Sequence, residues 1–363
     1  MFSNTNSRCL DRIKTIFVWQ GQTMGNRHIS LKDLARELNV SISTVSRALK
    51  DHPDISAAMK EKVKKMAQER RYTPNPLAMG LLKQETRMIG VIVPDLVTHF
   101  YASIIAGIES YAKEKGYFIL LASSNESYLK EKESIENLLR ARVEGFIVCL
   151  SQETTETAHF EDLLKLNIPL VFFDRVCLNG RVSSVTADNT EAAQTITQHF
   201  YQQGCRRIAF ISGPQHLNIS KERMSGYLAG LETSKLPVIA ELIEACDLSS
   251  ESATQAMKRL LELKRLPDAV FGINDTVAFA AMKEIKRHGL RIPDDIALVG
   301  FTDEFHSTVV DPPMTSVTHP TFEIGRAAAS LFFIAKQAKE TPQTLVLKTQ
   351  LVERESSQKN KLN

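Results

Sequence analysis

From Met88 onward one rhythm repeats: a short apolar run rich in β-branched residues, an amphipathic stretch, then another apolar run. The runs predict strands at 88–94, 117–123, 145–151, 169–174, 207–212, 242–247, 268–273 and 296–301. Helices are predicted between them, for example at 101–115, 189–203 and 275–288. Strands alternating with helices pair in parallel, because each crossover packs its helix back onto the sheet, and both faces become covered. The rhythm spans about 260 residues, more than one such sheet usually needs, so two similar lobes are predicted. Ligands of open α/β sheets bind beyond the carboxyl ends of the strands, which directs attention to the residues just after each run.

Ahead of Met88 the texture differs. Ser30-Leu31-Lys32-Asp33 reads as a capping box with Asp in place of the usual Glu. Leu31, Leu34, Ala35 and Leu38 follow on one face, and Asn39 suits a left-handed helix end. Ser41 then caps a second helix, in which Val45, Ala48 and Leu49 face inward. The turn between the two is so short that they must pack as a helix-turn-helix. The outer face of the second helix carries Ile42, Ser43, Ser46, Arg47 and Lys50, small enough to enter a DNA groove. A third helix is predicted over about 56–71, with Met59, Val63, Met66 and Ala67 inward and Lys60, Lys62, Lys64 and Lys65 outward, towards phosphates. After it, Asn75-Pro76 can start a short helix that Gly80 makes marginal in isolation, so it is expected to fold only with DNA and a partner subunit.

Charge divides the chain in the same place. Residues 1–87 hold 16 Lys+Arg against 8 Asp+Glu, whereas the remainder holds 29 against 34. A basic head on an acidic body fits a polyanion-binding module joined to something else. The five cysteines (Cys9, Cys149, Cys177, Cys205 and Cys246) form no C-x-x-C pair and are read as reduced thiols of a cytoplasmic protein. No apolar run reaches the roughly 18 residues of a membrane span, and no secretory signal is recognised, so no membrane partner is expected. Residues 1–27 are an unpatterned extension, for which a natural start at Met24 and a short disordered extension are the two readings.

The runs Ile29–Ala35, Val40–Leu49 and Tyr72-Thr73-Pro74-Asn75 resemble the lactose/galactose repressor (LacI/GalR) family. The likeness continues through Ile89–Pro94, Arg142–Gly145, Asp188-Asn189 and Pro293–Phe301, and covers about residues 29–352. The resemblance implies an all-α helix-turn-helix head with a hinge helix, joined to an α/β two-lobed body like a periplasmic binding protein. It divides the chain into the extension, a DNA-binding head (28–73), a hinge helix and linker (74–87), a two-lobed effector-binding and dimerisation domain (88–352) and a flexible tail (353–363). It implies as partners double-stranded operator DNA, a small effector of sugar type and a second copy of the chain, with no cofactor, no metal and no catalytic residue. The tail has no leucine repeat of the kind that makes some relatives tetramers, so a homodimer is expected.

Carried over by position, Ile42, Ser43 and Arg47 would read bases, Arg47 because a guanidinium bonds guanine O6 and N7 together. Ser30, Ser41, Thr44 and Ser46 would contact phosphate or groove, unless they only cap helices. Leu81 would wedge into the minor groove, unless it is an ordinary core residue. In the body, Phe100 and Tyr101 resemble an aromatic ligand platform. Asp174, Arg175, Arg223, Asn274, Asp275 and Asp303 resemble the polar set around a sugar ring, with an ion pair at a strand end as the rival reading for Asp174 and Arg175. Arg223 is read as lying in a loop of small residues. Thr302 replaces the family's usual Asp, with Asp303 displaced by one residue. Leu217, Ile219 and Leu248 stand where a purine-responsive branch places polar and aromatic contacts, which speaks against a purine effector. A plain sugar-binding protein is the second reading, opposed by the basic head. An α/β enzyme is the third, and no G-x-G-x-x-G, P-loop, G-x-S-x-G or H-E-x-x-H supports it.

Overall fold

The computed structural model describes residues 29–72, 85–337 and 341–359, which fall into two units divided between Gln84 and Glu85. The N-terminal extension with Met24, most of the expected hinge helix with Leu81, and the last four residues lie outside the described residues.

The first unit contains helices α1 (Leu31–Leu38), α2 (Ile42–Leu49) and α3 (Ala57–Glu69). The capping box of α1 is reciprocal: Ser30 Oγ accepts from the Asp33 N–H, and the Asp33 carboxylate accepts from the Ser30 N–H at 3.0 Å. Asn39 closes α1 at φ 53°, ψ 44°, and its N–H donates to the carbonyls of Ala35 and Arg36. Leu34, Ala35, Leu38, Val45, Ala48, Val63 and Ala67 form one small core, as their helical spacing predicts. Two of the lysines expected to face phosphates are already engaged. Lys64 pairs with the Asp51 carboxylate at 2.6 Å, and Lys60 donates to the Asp51 carbonyl at 3.1 Å. Lys62 and Lys65 remain exposed.

The second unit begins with β1 (Met88–Val93), α4 (His99–Glu114), β2 (Phe118–Ser123), α5 (Tyr128–Arg140), β3 (Phe146–Val148), α6 (Ala158–Lys165), β4 (Leu170–Phe173) and β5 (Ser183–Ala187). It continues with α7 (Asn189–Gln202), β6 (Ile208–Ser212), α8 (Asn218–Thr233), β7 (Ile243–Ala245), α9 (Ser250–Leu261), β8 (Ala269–Gly272), α10 (Asp275–Arg287) and β9 (Ala297–Val299). It ends with β10 (Ser316–Thr318), α11 (Thr321–Lys336), β11 (Thr344–Leu347) and β12 (Gln350–Val352). The first lobe holds a six-stranded sheet in the order β2-β1-β3-β4-β5-β11, and the second a four-stranded sheet in the order β7-β6-β8-β9. Every pair in both sheets is parallel. The chain passes between lobes at Asp188, at His319-Pro320 and at Lys348-Thr349. No helix among the described residues is long and apolar enough to cross a membrane.

All eight predicted strands are present, and four others were not read from the sequence. β5, β10 and β12 carry Ser, Thr or Gln, and β11 is a four-residue strand separated from its sheet partner by the whole second lobe. None forms a long apolar run, so tertiary pairing defines them. The expectation of a flexible tail is corrected for residues 353–359. Ser356 and Ser357 are fully buried. Ser356 Oγ donates to the Leu298 carbonyl at 2.6 Å and accepts from the Thr315 N–H at 2.8 Å. Ser357 Oγ meets Thr315 Oγ1 at 2.7 Å and His199 Nε2 at 2.8 Å. A composition that resembles disorder here supplies short hydroxyls that satisfy buried polar groups.

Candidate DNA-reading helix and ligand cleft

On α2 the residues predicted to meet DNA do lie outward. Ile42 is 48% exposed although it is large and apolar, and Ser43 and Arg47 are exposed beside a partly covered Ser46. The Arg47 guanidinium has no hydrogen bond or ion pair among the described residues. Arg36 and Arg70, by contrast, pair with Asp33 and Glu37. Ser41 Oγ caps the helix by accepting from the Thr44 N–H at 3.1 Å, and lies 2.7 Å from Ser43 Oγ and 2.8 Å from Thr44 Oγ1. The capping role of Ser30 and Ser41 is therefore real, and each sits at a helix N-terminus, where backbone N–H groups and the helix dipole favour phosphate.

In the body the strand ends of both lobes converge on one cavity of about 250 Å³. From the first lobe come Asp95, Thr98, Phe100 and Tyr101 after β1, Glu126 after β2, and Asp174 and Arg175 after β4. From the second come Ile219 and Arg223 on α8, Leu248 after β7, Asn274 and Thr276 after β8, and Thr302 and Glu304 after β9. Four of these residues hold left-handed backbone without being glycine: Glu126 (φ 60°), Asp174 (φ 58°), Leu248 (φ 68°) and Thr302 (φ 126°). At these four positions the backbone is held in a sparsely populated region, and that sets where the side chains aim.

The charged side chains are ordered by burial. Arg175 is buried, and its Nη1 donates to both carboxylate oxygens of Glu126, at 3.0 and 2.8 Å, which leaves Nε without a partner. The rival reading of an Asp174–Arg175 ion pair therefore does not hold; the partner is Glu126. Arg223 is buried on helix α8, not in a loop. Its Nε donates to Asn189 Oδ1 at 2.9 Å, its Nη1 donates to the Ile273 carbonyl at 2.6 Å, and its plane lies 3.7 Å from the centre of the Phe301 ring. Burial brings its pKa down to about 10, against the pull of Asp174 and Glu222. Burial also raises the Asp174 carboxyl, opposed by Arg223 and Arg175. Glu304 is pushed up to about 7, by burial first and then by the fields of Asp275 and Asp95.

Two expected ligand residues face elsewhere. Asp275 is fully buried inside the second lobe, where it accepts from Ser316 Oγ at 2.6 Å, the Glu304 N–H at 2.7 Å and Ser307 Oγ at 2.9 Å. It organises the loop after β9. Asp303 is taken by Arg354 at 2.6 Å. The cleft instead receives Thr302 and Glu304, one residue to either side. Asn274 lines the cleft while its Oδ1 caps α10 by accepting from the Val277 N–H at 2.9 Å. Asp95, Thr98, Glu126, Thr276 and Glu304 were missed by the sequence reading; each follows a predicted strand, which was the available signal. Ile219 and Leu248 keep that side of the cavity apolar, whereas Leu217 belongs to the lobe core.

A three-helix head with an outward arginine, and a two-lobed body with its cavity at the strand ends, describe a class of ligand-responsive DNA-binding protein. The chain belongs to the lacI family of bacterial regulatory proteins, whose head matches residues 30–75, and a periplasmic binding protein-like domain matches residues 197–357. Among its relatives is the HTH-type transcriptional repressor CytR of Escherichia coli strain K12, 33% identical over 310 residues, covering 85% of this chain and 90% of the relative. Catabolite control protein A of Priestia megaterium is 34% identical over 306 residues, covering 84% and 91%. Among solved structures, a complex of the transcriptional regulator CelR with cellobiose is 30% identical with a TM-score of 0.70, covering 90% of this chain and 99% of that one. A lac repressor dimer bound to operator and the anti-inducer ONPF is 26% identical with a TM-score of 0.79, covering 91% and 99%.

Proposed function

We propose that this chain is a cytoplasmic transcriptional repressor that binds double-stranded operator DNA as a homodimer, and that a small carbohydrate held between its lobes sets its operator affinity. The observation that carries the reading is that one chain joins an exposed Arg47, unpartnered among the described residues, on a capped recognition helix to a cleft in which Arg175 Nε and the hydroxyls of Thr98 and Thr302 have no partner among those residues. In this reading Ile42, Ser43 and Arg47 face bases, the flanking hydroxyls hold phosphates, and Leu81 wedges at the operator centre. A sugar ring rests its apolar side on Phe100 and Tyr101 and bonds its hydroxyls to Asp174, Arg175, Arg223 and Asn274. The cavity is close to the lower end of ligand sites, roughly 300–1,000 Å³, which suits a small ligand. Self-association has support in edge strand β2, which exposes Phe118 and Leu121 on a lobe that also exposes Val97 and Leu129. No catalytic role is assigned to the cleft.

The test is binding to operator fragments taken from genomic sites, titrated from about 50 to 200 mM salt, with and without sugars. A steep loss of affinity with salt and a sugar-dependent shift are expected. An affinity indifferent to salt would overturn the DNA-binding reading, and the absence of any sugar effect would overturn the effector reading.

A further inference from the structure

We propose that the outer part of the cleft is a cation subsite, in which Asp95 of the first lobe and Glu304 of the second bind a protonated amine of the effector. The inference deepens the carbohydrate reading above and rests on it: the effector class becomes an amino sugar, not a phosphorylated or carboxylated one.

The charge balance of the cavity leads there. Four carboxylates line it (Asp95, Glu126, Asp174 and Glu304) against two guanidiniums (Arg175 and Arg223). Arg175 is committed to Glu126, and Arg223 and Asp174 attract each other in the buried part of the cleft. Asp95 and Glu304, both partly exposed, have no ion-pair partner among the described residues. Asp95 is locked in place, each carboxylate oxygen accepting one N–H of its own loop, from Val97 at 2.8 Å and from Thr98 at 3.0 Å. Glu304 is positioned by its N–H, which donates to Asp275, while its carboxyl has no hydrogen-bond or ion-pair partner among the described residues. Both line the one cavity, and the charge of Asp95 adds, after burial and Asp275, to what raises the Glu304 carboxyl. Like charges that share a cavity are relieved by a proton or by a cation bound among them. A phosphate or carboxylate brought to the same place adds a third negative charge.

Independent signs that the cavity takes a polar ligand are the Nε of Arg175, a buried side chain, and the hydroxyls of Thr98 and Thr302, all lining it without a hydrogen-bond partner among the described residues. These suit ring oxygens and hydroxyls while the amine occupies the acidic end. Because the two carboxylates come from different lobes, an ammonium touching both favours the arrangement that brings them together, which is the differential contact an effector needs.

The experiment is calorimetry on the full chain with matched sets of gluco-, galacto- and manno-hexose, each as neutral sugar, 2-amino-2-deoxy sugar and 6-phosphate. The amino sugar of at least one set is expected to bind about tenfold or more tighter than its neutral parent, roughly 1.4 kcal/mol, with the phosphate weaker than both. E304Q and D95N should each collapse the amino-to-neutral ratio towards one; the ratio is read within each variant, so a general loss of affinity cancels. A neutral sugar that binds as well as its amino form, or a preference that survives in the E304Q/D95N double variant, overturns the subsite alone. Silence across all sets overturns the carbohydrate reading and this inference with it.

Discussion

Arg47 and Arg223 carry the same guanidinium into opposite surroundings, and the surroundings assign their work. Arg47 is exposed with its donors free among the described residues, so its partners come from outside; Arg223 is buried, with only its Nε and Nη1 engaged, by Asn189 and Ile273, and its face on Phe301. Replacing Arg47 with Ala should relax base preference at one position in each half-site, at a cost of about 1–3 kcal/mol on the preferred base. Binding to a set of single-base operator variants measures this, and an unchanged preference would remove Arg47 from base reading. Arg223→Ala should abolish the effector response while binding of operator in the absence of effector persists, as read from operator affinity with and without sugar. Glu304 supplies a prediction in pH. Its carboxyl is raised in the folded protein from 4.5 to about 7, so the stability tied to its protonated form is complete below pH 4.5 and is lost as pH rises through 7. Glu304→Gln has no such proton. The stability of the variant relative to the parent should therefore climb between pH 4.5 and 7 and level off above, by at most roughly 3 kcal/mol. Denaturant melts across that window decide it; a difference independent of pH would contradict a half-buried carboxyl raised by desolvation and its acidic neighbours.

At the scale of elements, the caps were legible and the close approaches were not. Ser30, Asn39 and Ser41 act through the backbone within three or four residues, so their roles follow from local spacing alone. The helix pairs that close each lobe depend instead on glycines meeting distant backbone. A Cβ on Gly107 of α4 would stand 2.1 Å from the Phe322 carbonyl oxygen of α11, and one on Gly325 of α11 would stand 2.1 Å from that of Ile104. In the second lobe a Cβ on Gly226 of α8 would stand 2.1 Å from the Thr190 carbonyl oxygen of α7. Backbone cannot swing aside as a side chain does, so Gly325→Ala or Gly226→Ala should force the helices apart at a cost of about 1–3 kcal/mol. Urea unfolding of the full chain measures it, and a neutral outcome would mean that the pairs separate freely. Nothing in the sequence distinguishes these glycines from any other, because the residues they meet are remote in the chain.

At the scale of the whole molecule, the two lobes of the body are tied directly as well as through the three crossings. Asn218 Nδ2 donates to the Asp174 carbonyl at 3.1 Å, its Oδ1 accepts from the Val176 N–H at 2.9 Å, and His216 Nε2 meets the Gln152 carbonyl at 2.5 Å. Asn218→Ala should loosen this arrangement and move the effector dose–response along the concentration axis, with base preference on the operator unchanged; an unmoved dose–response would make the tie incidental. The order of elements, the division into a basic head and an acidic parallel-sheet body, the caps, and the family likeness carried by short local motifs are all legible in the chain's residues alone. These depend on neighbours a few residues apart, where periodicity and side-chain type suffice. Long-range packing brings β11 back to complete the first sheet and puts Ser356 and Ser357 inside the fold. It also turns Asp275 and Asp303 away from the cleft and Thr302 and Glu304 into it. A shift of one residue in a loop reverses where a side chain points, and the hydrogen bonds that set the loop come from Ser316 and Arg354, elements far along the chain that no local pattern brings together.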